Sequence, residues 1–111
     1  MRFEYDERKS RQNLAKHGID FNTAALVFDD PLTLTQRDEA HDEEERLITL
    51  GEVAPGVVLF VVHTSFAAED GEETIRLISA RAATSRERRS YEESHKRATA
   101  ADRGDRRKDR R

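Results

Sequence analysis

Val57-Val58-Leu59-Phe60-Val61-Val62 is the stretch whose reading decides the fold. Its residues are β-branched, aromatic or aliphatic on both parities, so side chains pointing to either face of a strand need cover. That pattern predicts a strand at the centre of a sheet, buried on both faces. Pro55-Gly56 punctuates the chain just before it. Upstream, Arg46-Leu47-Ile48-Thr49-Leu50 reads as a strand ended by Gly51, and Leu32-Thr33-Leu34-Thr35 alternates as another half-buried one. Downstream, Asp70-Gly71 marks a connection. After it, Thr74-Ile75-Arg76-Leu77-Ile78-Ser79-Ala80 reads as the next antiparallel strand.

Helix signals lie on both sides of this meander. Phe3 and Tyr5 flank Glu4 in a short first strand, and Asp6 stands where a helix N-cap is needed. Residues 7–17 are good helix formers. Gly18 supplies a left-handed stop, with Lys16 and His17 at the negative end of the helix dipole. A second helix is predicted over 21–28, because Phe21, Ala24, Ala25 and Phe28 share one stripe, with Asp20 or Asn22 as cap and Pro31 forbidding continuation. Thr84 and Glu87 form a capping box for a last helix reaching about Arg97. Residues 98–111 carry no apolar face and predict a charged, disordered tail outside a single domain at 1–97. The order β-α-α-β-β-β-β-α specifies an α+β fold: a mainly antiparallel sheet, two N-terminal helices, one C-terminal helix, and room for one open sheet face.

Composition narrows the function classes. A chain of 111 residues with 35% hydrophobic and 39% charged content suits one compact domain with a solvated surface. The lack of cysteine excludes disulfides, zinc-thiolate sites and a thiol nucleophile. The N-terminus lacks the apolar core of a signal peptide, and the run 57–62 is too short to cross a bilayer, so the expectation is a cytoplasmic protein without membrane contact. Acid gathers over 38–45 and base from Arg76 onward, a polarised distribution within a net charge of -3. A charge run alone reads as a solvated surface.

Several residues are candidates for chemistry. Lys9, Asn13 and His17 fall at i, i+4 and i+8 on one helical face, either a site or a solvated stripe ending in a dipole-stabilised histidine. Arg76 interrupts an apolar strand and Arg81 follows near its end; guanidinium forks match phosphate oxygens, or else pair with carboxylates. In a regular strand 76 and 81 point to opposite faces, so both serve one site only if the chain bulges near Ala80. On the last helix Arg88, Glu92 and His95 share a stripe; Glu87 is accounted for by capping, and Tyr91 packs on the sheet or donates a proton. His41 with Asp38, Asp42 and Glu45 is a weak metal set in an acidic loop, and no metal or other cofactor is expected. His63 closes the central strand as an ordinary neutral imidazole.

Taken in order, Phe3-Glu4-Tyr5-Asp6, Lys9, Asn13, Lys16-His17-Gly18-Ile19, Phe21, Ala24, Val27-Phe28, Asp30, Glu45-Arg46, Gly51, His63-Thr64, the run from Ile75 through Arg81, Ala83-Thr84, Glu87-Arg88 and Tyr91 resemble the BrnT family. The resemblance covers the chain from Arg2 to about Glu93. It implies a RelE-like fold, a toxin that can form dimers, and metal-independent RNA cleavage that inhibits translation. It also implies a BrnA-type antitoxin with a ribbon-helix-helix domain, through which operator DNA is reached. Under it, His17, Arg76 and Arg81 are the catalytic candidates, while Lys9, Lys16 and Arg88 are RNA contacts. Two positions depart from the family pattern: Phe66 stands where an arginine is usual, and Ala82 where a lysine is common. Both losses weaken the positive field expected around a phosphate. They keep open the alternative of an inactive interaction module that binds the antitoxin and co-represses its own operon.

Overall fold

The fold is that of a computed structural model, which describes residues 1–39 and 45–109 and the side chains among them up to Arg97. Among the described residues five strands form one sheet: β1 (Arg2–Glu4), β2 (Leu34–Arg37), β3 (Leu47–Ala54), β4 (Val57–Ala67) and β5 (Glu73–Ala82), in the order β1-β5-β4-β3-β2. The apolar run beginning at Val57 thus lies in the middle strand, as its pattern predicts. The sheet is mixed rather than wholly antiparallel. β1 runs parallel to β5, with Phe3 opposite Ile75, whereas the other pairings are antiparallel. A three-residue strand pairing across most of the chain length leaves no local signal of its direction.

Among the described residues three α-helices complete the order: α1 (Glu7–His17), α2 (Phe21–Ala24) and α3 (Ser85–Asp109). Asp6 caps α1 by accepting from the Arg8 amide, and Gly18 ends it at φ 74, the left-handed region where a side chain is strained. Asp20, not Asn22, caps α2. The predicted helix over 21–28 is one α-turn followed by a 3-10 helix, Ala25–Asp29. This segment lies hard against β3, where a Cβ on Gly51 would meet the Val27 Cβ at 2.8 Å.

Helices cover both faces. On the first, Phe21, Ala24 and Val27 pack on Leu59, Val61, Ile75, Leu77 and Ala80. On the second, Tyr91 of α3 packs with Leu50 and Val58, against Leu34, Phe60 and Ala83. Among the described residues no helix is long and apolar enough to cross a membrane. His41 lies outside the described residues, which contain no metal-binding cluster of three or more His, Cys, Asp or Glu.

Candidate functional site

Whether Arg76 and Arg81 share a face is settled by one extra residue in β5. Val62 stands opposite Ser79, but His63 stands opposite Leu77, so Ile78 is left without a partner on β4. This β-bulge resets the alternation. Ile75 and Leu77 before it, and Ala80 after it, all enter the first-face core. Arg76 therefore lies opposite Thr64 and Arg81 opposite Phe60, both on the second face. The four steps along β4 from Phe60 to Thr64 separate the two arginines by about 13 Å along the sheet.

Arg76 of β5 lies opposite Glu4, the last residue of β1. Its guanidinium donates to the Glu4 carboxylate at 2.9 Å, and its side chain remains 59% exposed. It lines a cavity of about 330 Å³ together with Glu4, Tyr5, Asp6, Lys9 and Leu77. Lys9 forms no ion pair among the described residues, so the cavity holds one paired and one unpaired cation. The structure brings these two predicted residues together. Sequence reading missed Glu4 and Asp6 as cavity walls, because their position depends on the β1 pairing.

Arg81 is more constrained. Its Nη1 and Nη2 donate to Glu87 Oε1 and Oε2 at 2.8 and 3.0 Å, and its guanidinium stacks 3.8 Å above the Phe60 ring. Glu87 also accepts from the Thr84 amide, while the Glu87 amide donates to the Thr84 hydroxyl, completing the predicted capping box. The Arg81 guanidinium holds the Glu87 carboxyl below the usual carboxylate range.

Asn13 is structural. It is buried, its Nδ2 donates to the carbonyls of Ala80 and Ile19, and its Oδ1 accepts from the Ala80 amide. Asn13 thus turns its part of the α1 stripe to β5 at Ala80, while Lys9 and His17 on the same stripe are exposed. Lys16 and His17 are exposed in the last turn of α1, and eight helical residues place His17 about 12 Å from Lys9 along the axis. Among the described residues no contact joins His17 to Arg76 or Arg81. Arg88 is exposed on α3.

Tyr91 packs on the sheet and also donates, to the Asp30 carboxylate. Burial pushes the Tyr91 hydroxyl well above its ordinary value, and Asp30 adds to that rise, so it remains a donor. Burial works against the ionised Asp30, yet the Glu52 amide and the Tyr91 hydroxyl hold its carboxyl below the usual range. Phe66 lies opposite Thr74, on the face of Arg76, and is 44% exposed. Ala82 lies opposite Leu59, on the other face. The two departures from the family pattern thus fall on opposite sides, and only Phe66 borders the Arg76 surface.

A family model described as "Ribonuclease toxin, BrnT, of type II toxin-antitoxin system" matches residues 5–87. Among solved structures, the chain is similar to the crystal structure of the Brucella abortus ribonuclease toxin BrnT, at 27% identity over 76% of this chain and 97% of that one, with a TM-score of 0.57. No curated protein matches it. Since the matched residues run through α1, the meander and the capping turn of α3, the chain belongs to the BrnT family of ribonuclease toxins of type II toxin-antitoxin systems.

Proposed function

We propose that this chain is a metal-independent endoribonuclease of the cytoplasm that cleaves RNA, inhibits translation, and is neutralised by a BrnA-type ribbon-helix-helix antitoxin. Operator DNA is then reached only through that antitoxin, in a complex that holds two toxin copies. The observation that best supports the reading is the cavity shared by Arg76 of β5 and Lys9 of α1, two cations from separate elements in one hollow. RNA transesterification moves the ribose 2′-proton to a base, forms a bond from that oxygen to phosphorus, and breaks the bond to the 5′-oxygen, which takes up a proton. The phosphorane in between carries added negative charge. In this reading Arg76 and Lys9 stabilise that charge. Glu4, beside Arg76, accepts the 2′-proton, and Lys9 returns one to the leaving oxygen.

The remaining candidates take outlying parts. Arg81, held by Glu87, attracts a neighbouring phosphate, while Lys16 and Arg88 contact the strand at its ends. His17 is catalytic only if the scissile phosphate sits at the C-terminal end of α1. Transcript cleavage in the presence of chelator tests the proposal: Arg76→Ala and Glu4→Gln each lose about 100-fold or more, and His17→Ala loses less than about tenfold. RNA left intact at low salt by partner-free protein overturns it. A large loss in His17→Ala alone moves the site to the other end of α1.

Phe66 favours a second reading. An exposed phenyl ring beside Arg76, at a position where the family usually carries arginine, suits a module that binds the antitoxin and co-represses without cutting RNA. Growth inhibition by the chain expressed without antitoxin, and its absence, separate the two readings.

A further inference from the structure

Two phenyl rings of β4 stand on the second face of the sheet, in different surroundings. Phe60 is closed in: the Arg81 guanidinium lies 3.8 Å above its ring, and it packs beside the Tyr91 cluster. Phe66 is bare. It is 44% exposed, and among the described residues no ring or guanidinium stacks on it. A lone exposed ring is ordinary on a protein surface, so its neighbours decide what it can do.

Those neighbours are polar. Thr74 lies opposite Phe66, Arg2 lies beyond Thr74 on β1, Thr64 precedes it by two residues, and Arg76 is its diagonal neighbour on β5. Diagonal pairs of this kind lie about 7–8 Å apart, within reach of aromatic and long side chains. The ring is therefore isolated, not part of the continuous apolar core that a protein interface needs. Arg76 spends one N–H contact on Glu4 among the described residues, and a guanidinium has five N–H donors, so most of its fork is open. Lys9 faces the same cavity. A bare ring beside an open guanidinium is the pairing that holds a nucleotide of an unpaired strand, with the base on the ring and the phosphate on the fork.

We infer that Phe66 is a stacking platform for the base attached to the phosphate at Arg76, so that the site takes single-stranded RNA. In a duplex the base faces are spent on one another and cannot reach the ring. Every base has a π-face, so the platform selects an unpaired strand and not a base. At this position, where the family usually carries arginine, the chain exchanges a phosphate contact for a base contact. The inference rests on the ribonuclease reading for its setting and adds the substrate class.

The test is NMR binding of the full chain to an uncleavable probe, a 2′-O-methyl hexanucleotide of alternating A and C, alone and annealed to its complement. The expected result is saturable binding of the single strand, upfield ring-current shifts of base protons, and nuclear Overhauser contacts from those protons to the Phe66 ring. Phe66→Tyr keeps the shifts. Phe66→Ala loses them and weakens binding about tenfold, and the duplex binds about tenfold more weakly than the single strand. Phe66→Arg holds the strand by charge but abolishes the upfield shifts. Unchanged affinity in Phe66→Ala overturns the inference, since binding then reports phosphate alone, as does equal binding of the duplex. Phe66 ring signals that follow protein concentration and ignore the probe also overturn it, because the ring then meets another protein surface. Cleavage of the ribose counterpart is read separately. Stacking without cleavage sinks the nuclease and not the platform, whereas cleavage with binding indifferent to Phe66→Ala sinks the platform alone.

Discussion

His63 shows what a single side chain does to stability here. It is 2% exposed, packs edge-on against Phe28, and its Nε2 meets the Thr49 hydroxyl, which in turn meets that of Thr35. Its Nδ1 has no partner among the described residues. Burial lowers its affinity for a proton below the ordinary histidine value. In the unfolded chain the ring protonates near pH 6.5, so from there downward the unfolded state binds a proton that the folded state refuses. Stability should be level above pH 6.5 and fall as the pH drops below it, by up to about 1.4 kcal/mol per pH unit. Urea unfolding across that window should show a clearly shallower slope in His63→Gln; equal slopes refute the assignment. Asn13 is the complementary case. Asn13→Ala strands the Ala80 amide and carbonyl in a buried setting and should cost about 3 kcal/mol in the same measurement. Neither outcome could be read from spacing. The i, i+4, i+8 pattern placed Asn13 correctly on one stripe with Lys9 and His17, but whether that stripe meets solvent or a strand is decided by β5, some 67 residues later in the chain. Phe66 belongs at this scale too. Under the nuclease reading, Phe66→Arg adds a cation on the face of Arg76 and should raise transcript cleavage by about tenfold or more.

At the scale of elements, local chemistry was readable and long-range register was not. Asp6, Gly18, Asp20 and the Thr84-Glu87 box act within a few residues of themselves, and each does in the structure what its residue type predicts. The central position of β4 was equally plain, since a strand apolar on both parities has few other places to go. By contrast, the bulge at Ile78 is a property of the pairing between two strands. The sequence posed the question through the odd spacing of Arg76 and Arg81, and only the partner strand answered it. The close approach of β3 to the 3-10 helix is a further long-range feature with a measurable consequence. In Gly51→Ala the new methyl would lie 2.8 Å from the Val27 Cβ and 3.0 Å from its carbonyl oxygen. Overpacking of this kind should destabilise the fold by about 1–3 kcal/mol, read as a lower unfolding midpoint; an unchanged midpoint would show that the 3-10 helix is free to yield.

Across the whole molecule, charge is divided along the chain. Eight Lys or Arg face three Asp from residue 96 to 111, whereas the rest is acidic overall. If the C-terminal stretch contributes to RNA binding through phosphate charge, truncation after Arg97 should weaken binding and flatten its dependence on salt, with the Arg76 cavity left in place. An unchanged salt slope would leave RNA binding to the sheet face. The architecture also shapes how the toxin meets other chains. At Ala80 the Asn13 amide impersonates a peptide group, giving and taking a hydrogen bond as a sixth strand would. A helix thereby caps β5 at Ala80, beyond the three residues that β1 pairs, and the border of the sheet on that flank is the short β1. The opposite border is β2, only four residues long and closed by Arg37, a brevity and a charge that discourage fibril-like stacking. Both borders of the sheet are thus short, three residues at β1 and four at β2, which leaves little open ladder for another chain to extend.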